Sequence, residues 1–135
     1  GYGLSDSPVG LAARIYAKFA QWTYSGGELE RSLAKDEMLD DITLYWLTNT
    51  AISSARLYWE NNAHNFNAVD ISIPAAVTVF PSEVERRPRS CSERSYHELI
   101  YFDAGGKGGH FVAWDQPELF SNEPGAVSRS LRQSV

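Results

Sequence analysis

The chain has 135 residues, enough for one compact domain or part of a larger one. Hydrophobic residues make up 43% and aromatic residues 13%, which excludes a chain disordered throughout. Seventeen acids against twelve bases leave a net charge of −5, so neither nucleic acid nor a polybasic membrane contact is expected as a partner. No run approaches the ~20 apolar residues of a membrane-spanning helix. Cys91 is alone, which excludes an intramolecular disulfide and points to a reducing, cytoplasmic setting. The chain opens on Gly1 and not on Met, and part of a longer protein is the expectation.

In chain order, a helix is expected over residues 5–22. Ser5, Asp6 or Ser7 can cap it, and Pro8 suits its first turn. Val9, Ala12, Tyr16 and Phe19 recur at helical spacing, with Ile15 and Trp22 beside them. Gly26-Gly27 ends that stretch. A second helical region begins near Asp36, where Asp36, Glu37, Asp40 and Asp41 favour the positive end of the helix dipole. Its apolar stripe is Leu39, Ile42, Trp46, Ile52, Ala55 and Trp59. Thr48-Asn49-Thr50 and Ser53-Ser54 can divide it in two, and Asn61-Asn62 ends it. Ile73 to Phe80 is a short continuous apolar run, the pattern of a strand buried on both faces of a parallel sheet; Pro74 sits at its start. A short helix over 89–95, a strand from Leu99 to Phe102, the loop Gly105 to Gly109, and a helix opened by Asp115 and Pro117 complete the order. Pro124-Gly125 is expected to interrupt that last helix. The basic cluster Arg86, Arg87, Arg89 and Arg94 is interleaved with Glu83, Glu85 and Glu93 and reads as a solvated loop. Strand, helix, strand, helix implies a right-handed crossover and a parallel pair. Two parallel strands lack the neighbours such a sheet needs, so an open edge is expected, with pairing to another chain or aggregation through it.

Three residues stand out chemically. His110 follows a buried strand and a glycine loop, which can present an imidazole at the carboxyl edge of the sheet, where open α/β folds place their sites. Glu83 follows the preceding strand and so reaches the same edge; a carboxylate there can fix one tautomer of the imidazole. Asp103 and Glu85 are rivals for that role. Acid, then histidine, each after its own strand, is the order of the α/β-hydrolase fold. The nucleophile elbow of that fold, Gly-x-nucleophile-x-Gly, is absent; Gly3-Leu4-Ser5-Asp6-Ser7 lacks the last glycine and any strand before it. Neither zinc-like spacing nor a phosphate or dinucleotide fingerprint is present.

Together with Leu4-Ser5-Asp6-Ser7-Pro8-Val9-Gly10-Leu11-Ala12-Ala13, the stretches Thr43-Leu44-Tyr45-Trp46-Leu47-Thr48, Ser53-Ser54-Ala55-Arg56-Leu57-Tyr58, Val79-Phe80-Pro81-Ser82-Glu83, Lys107-Gly108-Gly109-His110-Phe111-Val112-Ala113-Trp114 and Pro117-Glu118-Leu119 run nearly the length of the chain. In this order they resemble the microsomal-type epoxide hydrolases of the α/β-hydrolase superfamily. The resemblance implies the C-terminal part of an α/β-hydrolase fold. Residues 1–62 would be a helical lid segment and 63–135 a βαβα core segment with parallel strands. It implies His110 as general base, Glu83 as its orienting acid and Tyr58 as one of two lid tyrosines that hold the epoxide oxygen. Tyr2 does not sit on the motif position of the second. The family's aspartate nucleophile and oxyanion loop match nothing in this sequence, so the chain alone is expected not to turn over an epoxide. No cofactor or metal is implied, and the partner would be a small-molecule epoxide, hydrolysed to a vicinal diol by way of an aspartyl ester. Trp22, Trp46, Trp59 and Trp114 are expected to be packing residues. A non-catalytic binding module and one half of a split hydrolase are the competing readings.

Overall fold

A computed structural model describes residues 1–61 and 70–133, which form two compact units. Of these, residues 1–21 and 25–61 make a helical unit, and residues 22–24 and 70–133 make an α/β unit. The expected boundary between residues 62 and 63 falls outside the described residues, as does Asn62.

The helical unit contains α1 (Tyr2–Ser5), α2 (Pro8–Trp22, whose last residue packs in the α/β unit), a 3-10 turn (Leu29–Arg31), α3 (Lys35–Leu47) and α4 (Ala51–Glu60). Of the three capping candidates Ser7 takes the role: its Oγ accepts the Gly10 N–H at 3.1 Å, with Pro8 at the first helical position. The apolar stripe of α2 is rotated from the expected one. Leu11 and Phe19 are buried with Ile15 between them, a spacing of four, whereas Val9 and Tyr16 are exposed. On α3 the buried residues are Met38 and Ile42, and Leu39 is half exposed. Leu11, Ile42 and Ala51 form the centre of this unit's core, with Leu4, Ala12, Ile15 and Tyr45 packed on it. The Glu37 carboxylate reaches back to the Ala34 N–H at 3.2 Å, which secures the start of α3. The expected break falls at Thr48–Thr50. The Thr48 hydroxyl donates to Leu44 O at 2.7 Å, and Asn49 turns into the left-handed region at φ 53°.

The α/β unit holds β1 (Ala75–Val79), α5 (Arg89–Glu93), β2 (Leu99–Ala104), α6 (Val112–Asp115) and α7 (Pro117–Gln133). The strands pair in parallel, Ala76 opposite Tyr101 through Val79 opposite Ala104, with an irregularity between Ala75 and Ala76. Parallel bridges beyond each end, Ile71 with Tyr96 and Ser82 with Gly109, extend the register. Strand residues are half-buried at best, not buried on both faces, because among the described residues each strand has one neighbour. Phe80 and Val112 are the buried apolar residues at the carboxyl end.

A further expectation about the fold fails here. α7 runs unbroken through Pro124 to Gln133. Proline removes one backbone donor, yet the helix is held to the sheet beside it. Glu123 Oε2 accepts the Thr78 hydroxyl at 2.6 Å and the Tyr101 hydroxyl at 3.2 Å, tying α7 to both strands. Phe120, Pro124 and Val127 line a cavity together with Ala76, Thr78 and Phe80 on the same side. Docking thus outweighs the local penalty of the proline.

Candidate active site

The parallel register is what brings Glu83 and His110 together. Ser82 bridges to Gly109, and its N–H donates to Gly108 O at 3.0 Å, so the residues that follow each strand leave the sheet side by side. The Glu83 N–H closes a turn on Phe80 O at 3.2 Å. On the other arm, Gly108 has φ +106°, a backbone state that side chains resist. Gly109 lies so close to the Trp22 carbonyl that a Cβ there would sit 2.3 Å from the oxygen.

His110 Nδ1 stands 2.7 Å from Glu83 Oε1. That same oxygen accepts the Val84 N–H at 2.8 Å, so it faces the ring as an acceptor. Nδ1 is therefore the donor of this pair, and in the neutral ring that tautomer leaves the lone pair on Nε2. The pair is open to solvent on one side, with side chains 45% exposed at His110 and 28% at Glu83. The imidazole is also held by its surroundings. The Trp22 ring meets it edge-on at 5.2 Å and the Phe111 ring at 5.2 Å, and the His110 N–H donates to Trp22 O at 2.8 Å.

The two rival acids are placed elsewhere. Glu85 is paired with Arg87 at 3.1 Å, and Asp103 lies within β2 opposite Thr78. The basic cluster is solvated as expected; Arg89 pairs with Glu93 at 2.7 Å, both well exposed. Tyr58 lies on α4 in the helical unit and is 69% exposed. Trp22 and Trp114 are half-buried, but Trp46 is 36% and Trp59 88% exposed, so packing does not account for Trp59. Gly3-Leu4-Ser5 is helical and Ser7 is a cap, so that segment is no elbow. Among the described residues no group of three or more His, Cys, Asp or Glu side chains is placed to hold a metal ion. No helix among them is long and apolar enough to cross a membrane.

Sequence reading missed Asp115, taken only as the opening of a helix. It is 7% exposed, and its Oδ2 accepts the Tyr24 N–H at 2.8 Å across 91 positions of sequence. Burial raises its pKa, and the Tyr24 and Gly109 N–H groups partly offset the rise. Nothing in its spacing marks it out, since the partner is a backbone group far away in the chain.

No protein-family model matches the chain. It is 51% identical over 132 residues, 98% of its length, to a Stigmatella aurantiaca protein that carries the epoxide hydrolase name, and 40% identical over 134 residues to epoxide hydrolase 1 of Sus scrofa. The chain spans about 30% of the length of both relatives. Among solved structures, it superposes on juvenile hormone epoxide hydrolase from the silkworm Bombyx mori with a TM-score of 0.83 at 32% identity, covering 97% of this chain and 36% of that one. Aspergillus niger epoxide hydrolase gives 0.78 at 28% identity, covering 93% and 31%. Over nearly its whole length the chain is thus similar to a C-terminal portion of epoxide hydrolases of α/β-hydrolase fold.

Proposed function

We propose that this chain supplies the acid–base half of an epoxide hydrolase that converts an epoxide to a vicinal diol. The observation that carries the reading is the Nδ1–Oε1 bond of 2.7 Å at the carboxyl edge of the sheet, with Nε2 free to take a proton. In this scheme an aspartate carboxylate, supplied by polypeptide outside these 135 residues, attacks a ring carbon and breaks the strained C–O bond. The Tyr58 hydroxyl gives the ring oxygen a hydrogen bond as negative charge develops there. His110 Nε2 then takes a proton from water, and the hydroxide so formed attacks the carbonyl of the ester. As the ester breaks, the proton held by His110 and the proton of the newly formed carboxyl group pass to the two alkoxide oxygens, which regenerates the carboxylate and releases the diol. Glu83 accepts the Nδ1–H throughout and favours the imidazolium that appears in this step. Residues 1–62 would serve as the lid segment and 63–135 as the core segment. The exposed thiol of Cys91 is in keeping with a reducing, cytoplasmic setting.

A second reading, one half of a hydrolase split between chains, is favoured by Leu57, Tyr58 and Trp59, which leave a run of exposed apolar surface on α4. One experiment addresses both. The 135 residues are tested alone with styrene oxide, as a mixture with the upstream portion of the Stigmatella aurantiaca relative, and as a single chimeric polypeptide with that portion. We expect no diol from the chain alone and diol from the chimera. Diol from the mixture as well would favour the split form. A folded chimera that makes none would overturn the catalytic reading.

A further inference from the structure

We propose that Asp115 is a positioning residue for His110, acting through the three-residue strap Trp22–Tyr24. The proposal rests on the reading of His110 as the base. The strap belongs to the α/β unit, although the residues on either side of it in sequence do not. It is held at two points. Trp22 O accepts the His110 N–H at 2.8 Å, and the Tyr24 N–H donates to Asp115 Oδ2 at 2.8 Å. Between these points Gly109 packs against the Trp22 and Thr23 backbone with no room for a Cβ. These two bonds, on either side of Thr23, hold the strap against the histidine loop and with it the backbone that carries the Trp22 ring. That ring meets the imidazole edge-on at 5.2 Å and the Phe111 ring at 6.3 Å. The Phe111 ring also meets the imidazole edge-on, at 5.2 Å, and in the orientation held by these contacts Nδ1 faces Glu83.

The chemistry of Asp115 supports a purpose beyond packing. A carboxylate 7% exposed costs stability unless its oxygens are satisfied, and Oδ1 is buried without a hydrogen bond of its own among the described residues. An apolar side chain would fill the same space at lower cost but could not hold the Tyr24 N–H. What the acid contributes is an acceptor for the Tyr24 N–H, with the Gly109 N–H also turned toward the carboxylate, next to the loop that carries His110. Remove the acceptor and the Tyr24 N–H loses the bond that ties this end of the strap to Asp115, and the hold on the indole loosens. The imidazole then gains alternatives to its bond with Glu83.

The test separates the acceptor from the charge. Asp115→Asn keeps an oxygen for the Tyr24 N–H; Asp115→Leu removes it at similar size. In the 135-residue chain, 15N NMR of the His110 ring reports the tautomer. We expect a protonated Nδ1 and unprotonated Nε2 in the parent chain and in Asp115→Asn, and averaged ring nitrogens in Asp115→Leu. In the chimera, we expect Asp115→Leu to lower kcat about tenfold with KM within about twofold, and Asp115→Asn to stay within about twofold on both. A folded Asp115→Leu chain with the parent tautomer overturns the proposal, as does equal loss in both variants. If Asp115→Leu does not fold, Trp22→Leu is read in its place, and an unchanged tautomer there overturns it too. Should the parent chimera make no diol while the tautomer still responds to Asp115→Leu, the base reading falls and the positioning role stands.

Discussion

The two units hold their candidate residues in opposite ways. In the α/β unit Glu83 and His110 satisfy each other within the chain. A backbone N–H fixes the carboxylate, two aromatic rings flank the imidazole, and the strand register determines both positions. In the helical unit Tyr58 stands on the outer part of α4, 69% exposed, between Leu57 at 65% and Trp59 at 88%. A residue whose geometry is set by its own unit can be judged by distances. One that projects from a helix into solvent acts on whatever is brought to it. Substitution in the first region should therefore disturb chemistry and stability together, and in the second chemistry alone.

The largest effect is expected at His110. In the chimera, His110→Gln should lower diol release at least about 100-fold, since it removes the group that activates water in the proposed scheme. Ester formation needs no base in this scheme, so the variant should accumulate a covalent adduct, visible as a mass increase equal to that of the epoxide. Full turnover by His110→Gln, or loss of activity with no adduct, would place the base elsewhere and erase the contrast between the units.

Next comes the backbone that carries His110. Gly109→Ala puts a Cβ 2.3 Å from Trp22 O, where the obstacle is main chain and cannot rotate away. A destabilisation of about 3 kcal/mol is expected, or a fall of roughly 10 °C or more in Tm by circular dichroism. The comparison is Gly26→Ala in the helical unit. Gly26 has φ +64° but open space around it, so only backbone strain of about 1 kcal/mol is expected. Equal losses at the two sites would mean that the tight approach of the strap to the histidine loop is not a constraint.

These residues also show what was legible beforehand. Helices, strands and their parallel order followed from capping serines, glycine pairs and an apolar run, because those signals are local. The Glu83–His110 pair was legible because both follow adjacent parallel strands, and parallel strands release their chains at one edge. Three things were not. The buried face of α2 runs along Leu11, Ile15 and Phe19, but a helix with Val9, Ala12 and Tyr16 offers a second apolar stripe, and only the packing partner decides between them. Pro124 was expected to end a helix that Glu123 instead pins to Thr78 and Tyr101, a tertiary bond invisible in the local pattern. Asp115 was invisible for the same reason, since its partner is a main-chain N–H 91 residues away.

The smallest effect is expected at Tyr58, and it tests the contrast most sharply. Tyr58→Phe deletes one hydroxyl from an exposed side chain and leaves the ring in place, so the fold loses no buried hydrogen bond and Tm should move by less than about 2 °C. If the hydroxyl meets the epoxide oxygen as charge develops on it, the first step should slow by roughly tenfold, less than the loss of a sole oxyanion donor, because the resemblance implies a second lid tyrosine that would share the load. The loss should fall on adduct formation, not on adduct breakdown, the reverse of His110→Gln. Single-turnover measurements in the chimera separate the two steps. A Tyr58→Phe protein that forms its adduct at the parent rate but releases diol slowly would assign the tyrosine to the water step, and the division of labour between the two units would have to be redrawn.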